Sequence, residues 1–311
     1  MDPTVTIWCL VYNHEPYLRQ CLDGFVMQKT NFPVEALIHD DASTDDSATI
    51  ILEYANKYPD IIKPIIEKEN LYSKHDGSLM RAQVELCKGK YIAFCEGDDF
   101  WTDPYKLQKQ VDFMEAHPEY GMCHTDFNLS DGSRRKHYKE IYPDGNYYPG
   151  NIEHERGGIG TLTVLFRKET FDKTPKFYLQ EPFVAGDKPR WYEMSKEAKI
   201  KYLPEVTACY RVLPTSASHS SSLEKMLQFR EGLQYIRKYY AKKYGIKVTD
   251  YKNYCTNCLR ACYIASNAEN AMNYYSFAKR NKSLTVRGLF FYFGAKYSFI
   301  KHLVGLVTHP K

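Results

Sequence analysis

The chain has 311 residues, 43% hydrophobic and 26% charged, a globular composition that excludes long disorder; at about twice an ordinary domain's length it predicts two packed units, or one domain with an appendage. With 42 basic against 38 acidic residues the net charge is +4, too balanced for a protein built to coat nucleic acid, so no nucleic-acid partner is expected. No run reaches the roughly 18 apolar residues of a membrane span, and Met1-Asp2-Pro3-Thr4 lacks the pattern of a signal peptide, so a cytoplasmic location is expected.

Thr4 to Val11 is a short β-branched, apolar run and predicts a buried strand. Glu15 to Met27 follows with Leu18, Cys21, Leu22, Phe25 and Val26 on one helical stripe. Val34 to His39 is a second strand, and Ser47 is placed to cap a second helix carrying Ile50, Ile51, Tyr54 and Ala55. Ile61 to Ile66, Leu79 to Lys88 and Tyr91 to Cys95 continue as strand, helix and strand. Repeated units of this kind predict an α/β fold with parallel strands joined by right-handed crossovers.

The middle reads as mixed. Strands are expected at Gly121 to Phe127, Thr161 to Phe166 and Val206 to Cys209, with a loop or hairpin over the polar stretch to Asn151. From about Ser222 the pattern changes to amphipathic helices: Leu223 to Lys242, Tyr251 to Ser266, Ala268 to Arg280, and a last one from Leu284. The expected division is an α/β domain over 1–222 and a helical region over 223–311. Nine irregularly spaced Cys fit reduced, buried thiols better than a disulfide framework, and Cys255, Cys258 and Cys262 fit one helix face better than a zinc site lacking its fourth ligand.

A parallel sheet binds its ligand at the carboxyl ends of its strands. Those ends are Tyr12-Asn13-His14, Asp40-Asp41-Ala42-Ser43 and Glu96-Gly97-Asp98-Asp99, two of them strongly acidic. Carboxylates crowded on one turn repel unless a cation or donors neutralise them, and hard divalent ions bind through one or two carboxylates plus substrate phosphates. A solvated turn before a helix starting at Asp103-Pro104 is the plainer alternative. Asp187, between Gly186 and Lys188-Pro189, is expected near a helix N-cap, where it either caps or offers a fixed base.

Three stretches, Val5 through Glu15, Asp40 through Asp45 and Gly89 through Trp101, together resemble the bacterial family 2 glycosyltransferases, closely over residues 3–130 and more loosely to about 220. The resemblance implies the GT-A fold, a Rossmann-like mixed and mainly parallel sheet flanked by helices, here with a C-terminal helical appendage. It implies nucleotide-sugar binding by Val11, Tyr12 and Asn13, with Asp40 or Asp41 on the base edge. Glu96-Gly97-Asp98-Asp99 matches the family's Asp-X-Asp-Asp, with Asp98 and Asp99 toward ribose, diphosphate and a Mn²⁺ or Mg²⁺ ion. Asp187 matches the catalytic base of inverting members, and Tyr210-Arg211 a pair near the diphosphate. Glu96 stands where Asp is usual, and Leu213 where many members carry His; His219 could replace that His as a phosphate or metal contact, although a surface-loop His most often does neither.

The implied function is inverting transfer from a nucleoside-diphosphate sugar, a UDP-sugar favoured, to a saccharide or a polyprenyl-diphosphate-linked saccharide, in O-antigen or capsule assembly. A non-catalytic sugar-nucleotide binder and a nucleotidyltransferase are the competing readings. The first has no use for a base at Asp187, and the second would carry a Gly- and basic-rich loop after its first strand, where this chain has Tyr12-Asn13-His14-Glu15. The aromatic and basic tail from Lys282 to Lys311 reads either as a helix packed on the protein or as one lying peripherally on the inner membrane.

Overall fold

The computed structural model describes residues 3–74, 78–130, 146–147, 159–174, 183–213 and 222–297. They form two compact units: the first contains the described residues up to Val212 except 183–185, the second Phe183–Ala185 and the residues from Leu213 onward.

The first unit opens with β1 (Val5–Val11), α1 (Glu15–Val26), β2 (Val34–Asp40), α2 (Ser47–Lys57), β3 (Ile62–Ile66), α3 (Ser78–Leu86) and β4 (Tyr91–Phe94). β1 is buried on both faces, as a central parallel strand must be. α1 begins with Pro16 in its first turn and buries Leu18, Cys21, Leu22 and Phe25 at i, i+3, i+4 and i+7. Each fully buried Leu or Phe on that stripe contributes roughly 2 kcal/mol of transfer free energy.

β5 (Phe100–Trp101), α4 (Lys106–Ala116), β6 (Tyr120–Leu129), β7 (Asn146–Tyr147), β8 (Val164–Arg167), α5 (Lys168–Lys173), α6 (Asp187–Glu197) and β9 (Lys199–Tyr210) follow. The nine strands among the described residues form one sheet in the order β3-β2-β1-β4-β8-β6-β9-β5, with β7 also paired to β9. β3, β2, β1 and β4 are parallel neighbours; β8 then runs antiparallel to β4 and β6, while β6 and β9 are parallel. The sheet is mixed, as expected. Thr161 to Thr163 form a 3₁₀ turn where a strand was expected, because the Thr163 N–H and hydroxyl both donate to the Gly160 carbonyl, at 2.9 and 2.7 Å.

Strand order reverses at β1, whose crossover runs to β2 on one side while β4 lies on the other. That reversal opens a crevice at the strand ends, the place where open α/β sheets bind ligands. Val11 is level with Asp40, and the chain beyond β4 stays with β1: Cys95 N–H donates to the Trp8 carbonyl and Gly97 N–H to that of Leu10. The acidic turn is thereby delivered beside the end of β1.

The second unit contains α7 (Leu223–Lys243), α8 (Lys252–Ile264), α9 (Ala268–Arg280) and α10 (Val286–Lys296). Ser222, Asn267 and Thr285 cap α7, α9 and α10 through their side chains. Cys255, Cys258 and Cys262 are all buried thiols on one face of α8, as the helix-face reading expects. Gly232 leaves a notch on α7 that takes Val184, and the neighbouring Phe183 ring stands edge-on to Tyr239 at 5.4 Å.

Candidate active site

The turns after β1 and β2 are laced together. Asn13 adopts a left-handed backbone (φ 55°), which Asn tolerates better than most residues. Its N–H donates to the Ser43 hydroxyl at 2.9 Å, and its side-chain oxygen accepts from the Thr44 N–H at 2.7 Å. Asp45 accepts from the N–H groups of both Glu15 and Ser47 at 3.0 Å, serving the starts of α1 and α2 together. Ser47 is the first helical residue, not the cap; its hydroxyl accepts from the His14 N–H at 3.0 Å. The expected cap is corrected because Asp45, two residues earlier, already receives the Ser47 N–H.

The two adjacent aspartates differ. Both oxygens of buried Asp41 accept backbone N–H groups, from Leu71 at 2.7 Å and Tyr72 at 3.1 Å, so this carboxylate holds the segment after β3. Asp40 accepts from the Ser43 N–H through Oδ2, while its buried Oδ1 has no hydrogen-bond partner among the described residues. Of the pair, Asp40 keeps an unoccupied acceptor. Val11 is buried with its carbonyl receiving the Asp41 N–H, and Tyr12 stands 46% exposed.

Gly97 lets the acidic turn close on β1: a side chain there would press on His14 Nδ1 and Val11 Cγ2 at 2.9 Å. Asp99 is buried, and burial together with Glu96 and Asp98 pushes its carboxyl well up despite the opposing Arg211. Its Oδ1 accepts from the Arg211 N–H at 2.8 Å. The Arg211 guanidinium donates to the Asp98 carbonyl and to Gln20 Oε1, and lies 4.5 Å from the Phe100 ring centre and 5.1 Å from that of Tyr17. Arg211 thus clasps the turn from behind.

Asp98 remains part-exposed, and among the described residues no donor engages its carboxylate. The same holds for Asp187, the first residue of α6, half-buried beyond Gly186. One turn on, Arg190 is buried with its guanidinium 4.8 Å from the Phe94 ring centre, at the end of β4. Burial raises the Glu96 carboxyl to about 7, with the charges of Asp98 and Asp187 adding to the rise and Arg190 opposing it. The start of α6 and the acidic turn therefore share one electrostatic neighbourhood. His14 belongs to it too. Burial holds its imidazole below the ordinary range, Arg211 adds to this, and Asp98, Asp45 and Asp40 oppose it.

The residues fit a hard divalent cation that takes most of its ligands from a bound diphosphate. Asp98 offers a carboxylate without a protein donor in a surplus of negative charge, and no group of three or more His, Cys, Asp or Glu among the described residues forms a closed metal cage. His219 lies outside the described residues. Trp191 is core, 2% exposed, with its ring against Phe166. The sequence reading missed Tyr17 and Gln20. Tyr17 and Gln20 share an i, i+3 face of α1, but nothing in their spacing points to a partner at Arg211.

A crevice at the reversal of a mixed sheet, lined by acidic strand ends and flanked by helices, defines the GT-A-like fold of nucleotide-sugar enzymes. The chain belongs to that group's glycosyl transferase family 2, whose model matches residues 6–186. An uncharacterized protein of Mycobacterium tuberculosis is 34% identical over 233 residues, covering 71% of this chain and 62% of that protein. The chain thus spans 62% of the length of this mycobacterial relative. The Escherichia coli UDP-Glc:alpha-D-GlcNAc-diphosphoundecaprenol beta-1,3-glucosyltransferase WfaP is 34% identical over 112 residues, 36% of this chain and 41% of that one. Among solved structures, the mannosyltransferase PcManGT of Pyrobaculum calidifontis, in complex with GDP-Man and Mn²⁺, superposes with a TM-score of 0.54 at 14% identity, covering 100% of this chain and 89% of that one.

Proposed function

We propose that the chain is an inverting glycosyltransferase that moves a sugar from a nucleoside-diphosphate donor, a UDP-sugar favoured, to a hydroxyl of a saccharide acceptor. The acceptor class that suits it is a saccharide, free or carried on a polyprenyl diphosphate, in the assembly of a surface polysaccharide such as O-antigen or capsule at the cytoplasmic side of the membrane. One observation carries this reading: Arg190, one turn after Asp187, lies against Phe94 at the end of β4, so α6 starts beside the acidic turn, and no described donor engages the carboxylate of either Asp98 or Asp187. The E. coli relative's name supports the donor and acceptor classes, with UDP-Glc as donor and diphosphoundecaprenol on the acceptor.

In this mechanism Tyr12 offers its exposed ring to the base, Asp40 Oδ1 accepts from a base N–H, and Val11 and Asn13 shape the turn beneath the ribose. Asp98, with Asp99 behind it, would hold a Mn²⁺ or Mg²⁺ ion, which when bound offsets the charge of the diphosphate. Arg211 keeps the turn in place from behind. His219 would be a further phosphate or metal contact. Asp187 takes the proton of the acceptor hydroxyl as its oxygen bonds to the anomeric carbon from the face opposite the leaving group. The bond from that carbon to the diphosphate oxygen breaks with its electron pair going to the nucleoside diphosphate.

The test is release of nucleoside diphosphate from a panel of UDP- and GDP-sugars with Mn²⁺ and a saccharide acceptor. Acceptor-dependent turnover by one donor supports the reading. Tight donor binding without turnover would make the chain a binder instead, and release of pyrophosphate from a sugar phosphate and a nucleoside triphosphate would make it a nucleotidyltransferase.

A further inference from the structure

α10 is apolar on both faces. Phe291, Tyr292 and Ala295 pack into the core of the second unit with Cys258, Leu259 and Cys262 of α8. On the opposite side Val286 is 86% exposed and Phe293 42% exposed, with Leu289 half-buried between them. The exposed Tyr297 stacks on Phe293, their ring centres 6.5 Å apart and their planes 15° from parallel. Val286, Leu289, Phe293 and Tyr297 recur every three or four residues, so they form a continuous stripe. A helix with apolar residues all round is ordinarily enclosed by protein or lipid.

Charge identifies the cover. After Glu269 the sequence contains no Asp or Glu, while Lys279, Arg280, Lys282, Arg287 and Lys296 are all exposed. Arg287 and Lys296 sit at the two ends of the apolar stripe itself. No helix among the described residues is long and apolar enough to cross a membrane. α10 is 11 residues long, or about 16 Å, against a hydrocarbon core of about 30 Å. A two-fold partner formed by a second copy would set this same unrelieved positive rim against itself.

We propose that the outer face of α10 docks on an anionic phospholipid surface. The helix lies in the plane of the interface, with Val286, Phe293 and Tyr297 entering the boundary between headgroups and acyl chains and with Arg287, Lys296 and the basic end of α9 on the phosphates. This goes beyond the transferase reading and does not rest on it.

The test is co-sedimentation of the full chain with vesicles that contain neither nucleotide nor acceptor, so its outcome is independent of any transfer activity. The chain is expected to sediment with phosphatidylglycerol–phosphatidylcholine vesicles, to bind phosphatidylcholine alone far less, and to be released by salt. Phe293→Glu and the double change Arg287→Glu with Lys296→Glu are each expected to weaken binding by about tenfold or more. All three substituted positions are surface ones, and unchanged thermal melting of each variant separates loss of docking from loss of fold. Wild-type protein that stays in the supernatant, or variants that bind as well as wild type, would overturn the proposal. So would a wild-type dimer that Phe293→Glu converts to monomer, which would make the face an interface between copies.

Discussion

The backbone N–H of Arg211 donates to Oδ1 of Asp99 at 2.8 Å, joining the exit of β9 to the acidic turn across 112 residues of chain. Within one turn, then, neighbouring carboxylates have different duties: Asp99 is buried in the clasp and Asp98 faces out with no described donor. Asp98→Asn should therefore weaken Mn²⁺-dependent nucleotide binding by about tenfold or more, while Asp99→Asn, which keeps an acceptor for the Arg211 N–H, should weaken it less. Titration of UDP and GDP with Mn²⁺ checks the order; a larger loss for Asp99→Asn would make it the principal ligand.

Asp41→Ala should cost about 2 kcal/mol of stability, because it leaves the Leu71 and Tyr72 N–H groups without their charged acceptor. Asp40→Ala removes only one such bond, from Ser43, and should show its larger effect on affinity for the nucleotide base. Denaturant melts beside nucleotide titrations of the two variants separate these roles, and the opposite pattern would reverse the assignment.

Lys106 is fully buried, donates to Gln110 Oε1 at 2.6 Å, and has its ammonium 4.3 Å from the Trp101 ring centre. Burial pushes it down to about 8 from 10.5, against the fields of Cys123, Cys95 and Asp103. Between those two values the unfolded chain binds more protons than the folded one, so stability should rise with pH across that window, by about 3 kcal/mol from this group. Denaturant unfolding of Lys106→Met should lack that rise, and equal slopes for wild type and variant would remove the buried charge from the account.

Much of the first unit was legible because its strands are short apolar runs and its helices carry full stripes, as α1 does with Leu18, Cys21, Leu22 and Phe25. The acidic turn and Asp187 were legible as residue types. β9 was read only as Val206 to Cys209 because Leu203-Pro204-Glu205 breaks the alternation that Lys199 to Tyr202 keeps, and its pairing with β6 shifts register near Val206. The clasp was illegible for a different reason. Gln20 and Arg211 stand 191 residues apart, and a contact of that kind leaves no periodicity to read. Asn13 and Asp41 were expected at the nucleotide, and the structure adds hydrogen bonds by which each also holds a neighbouring segment.

The central claim is that Asp187 takes the acceptor's proton, and Asp187→Asn tests it most directly. The substitution preserves size and helix position, so donor affinity should stay within about threefold of wild type while kcat falls by about a hundredfold or more. Titration calorimetry with the nucleotide sugar and turnover with acceptor, measured on one preparation, give both numbers. Retained turnover in Asp187→Asn, or a loss of donor affinity that matches the loss of turnover, would contradict it.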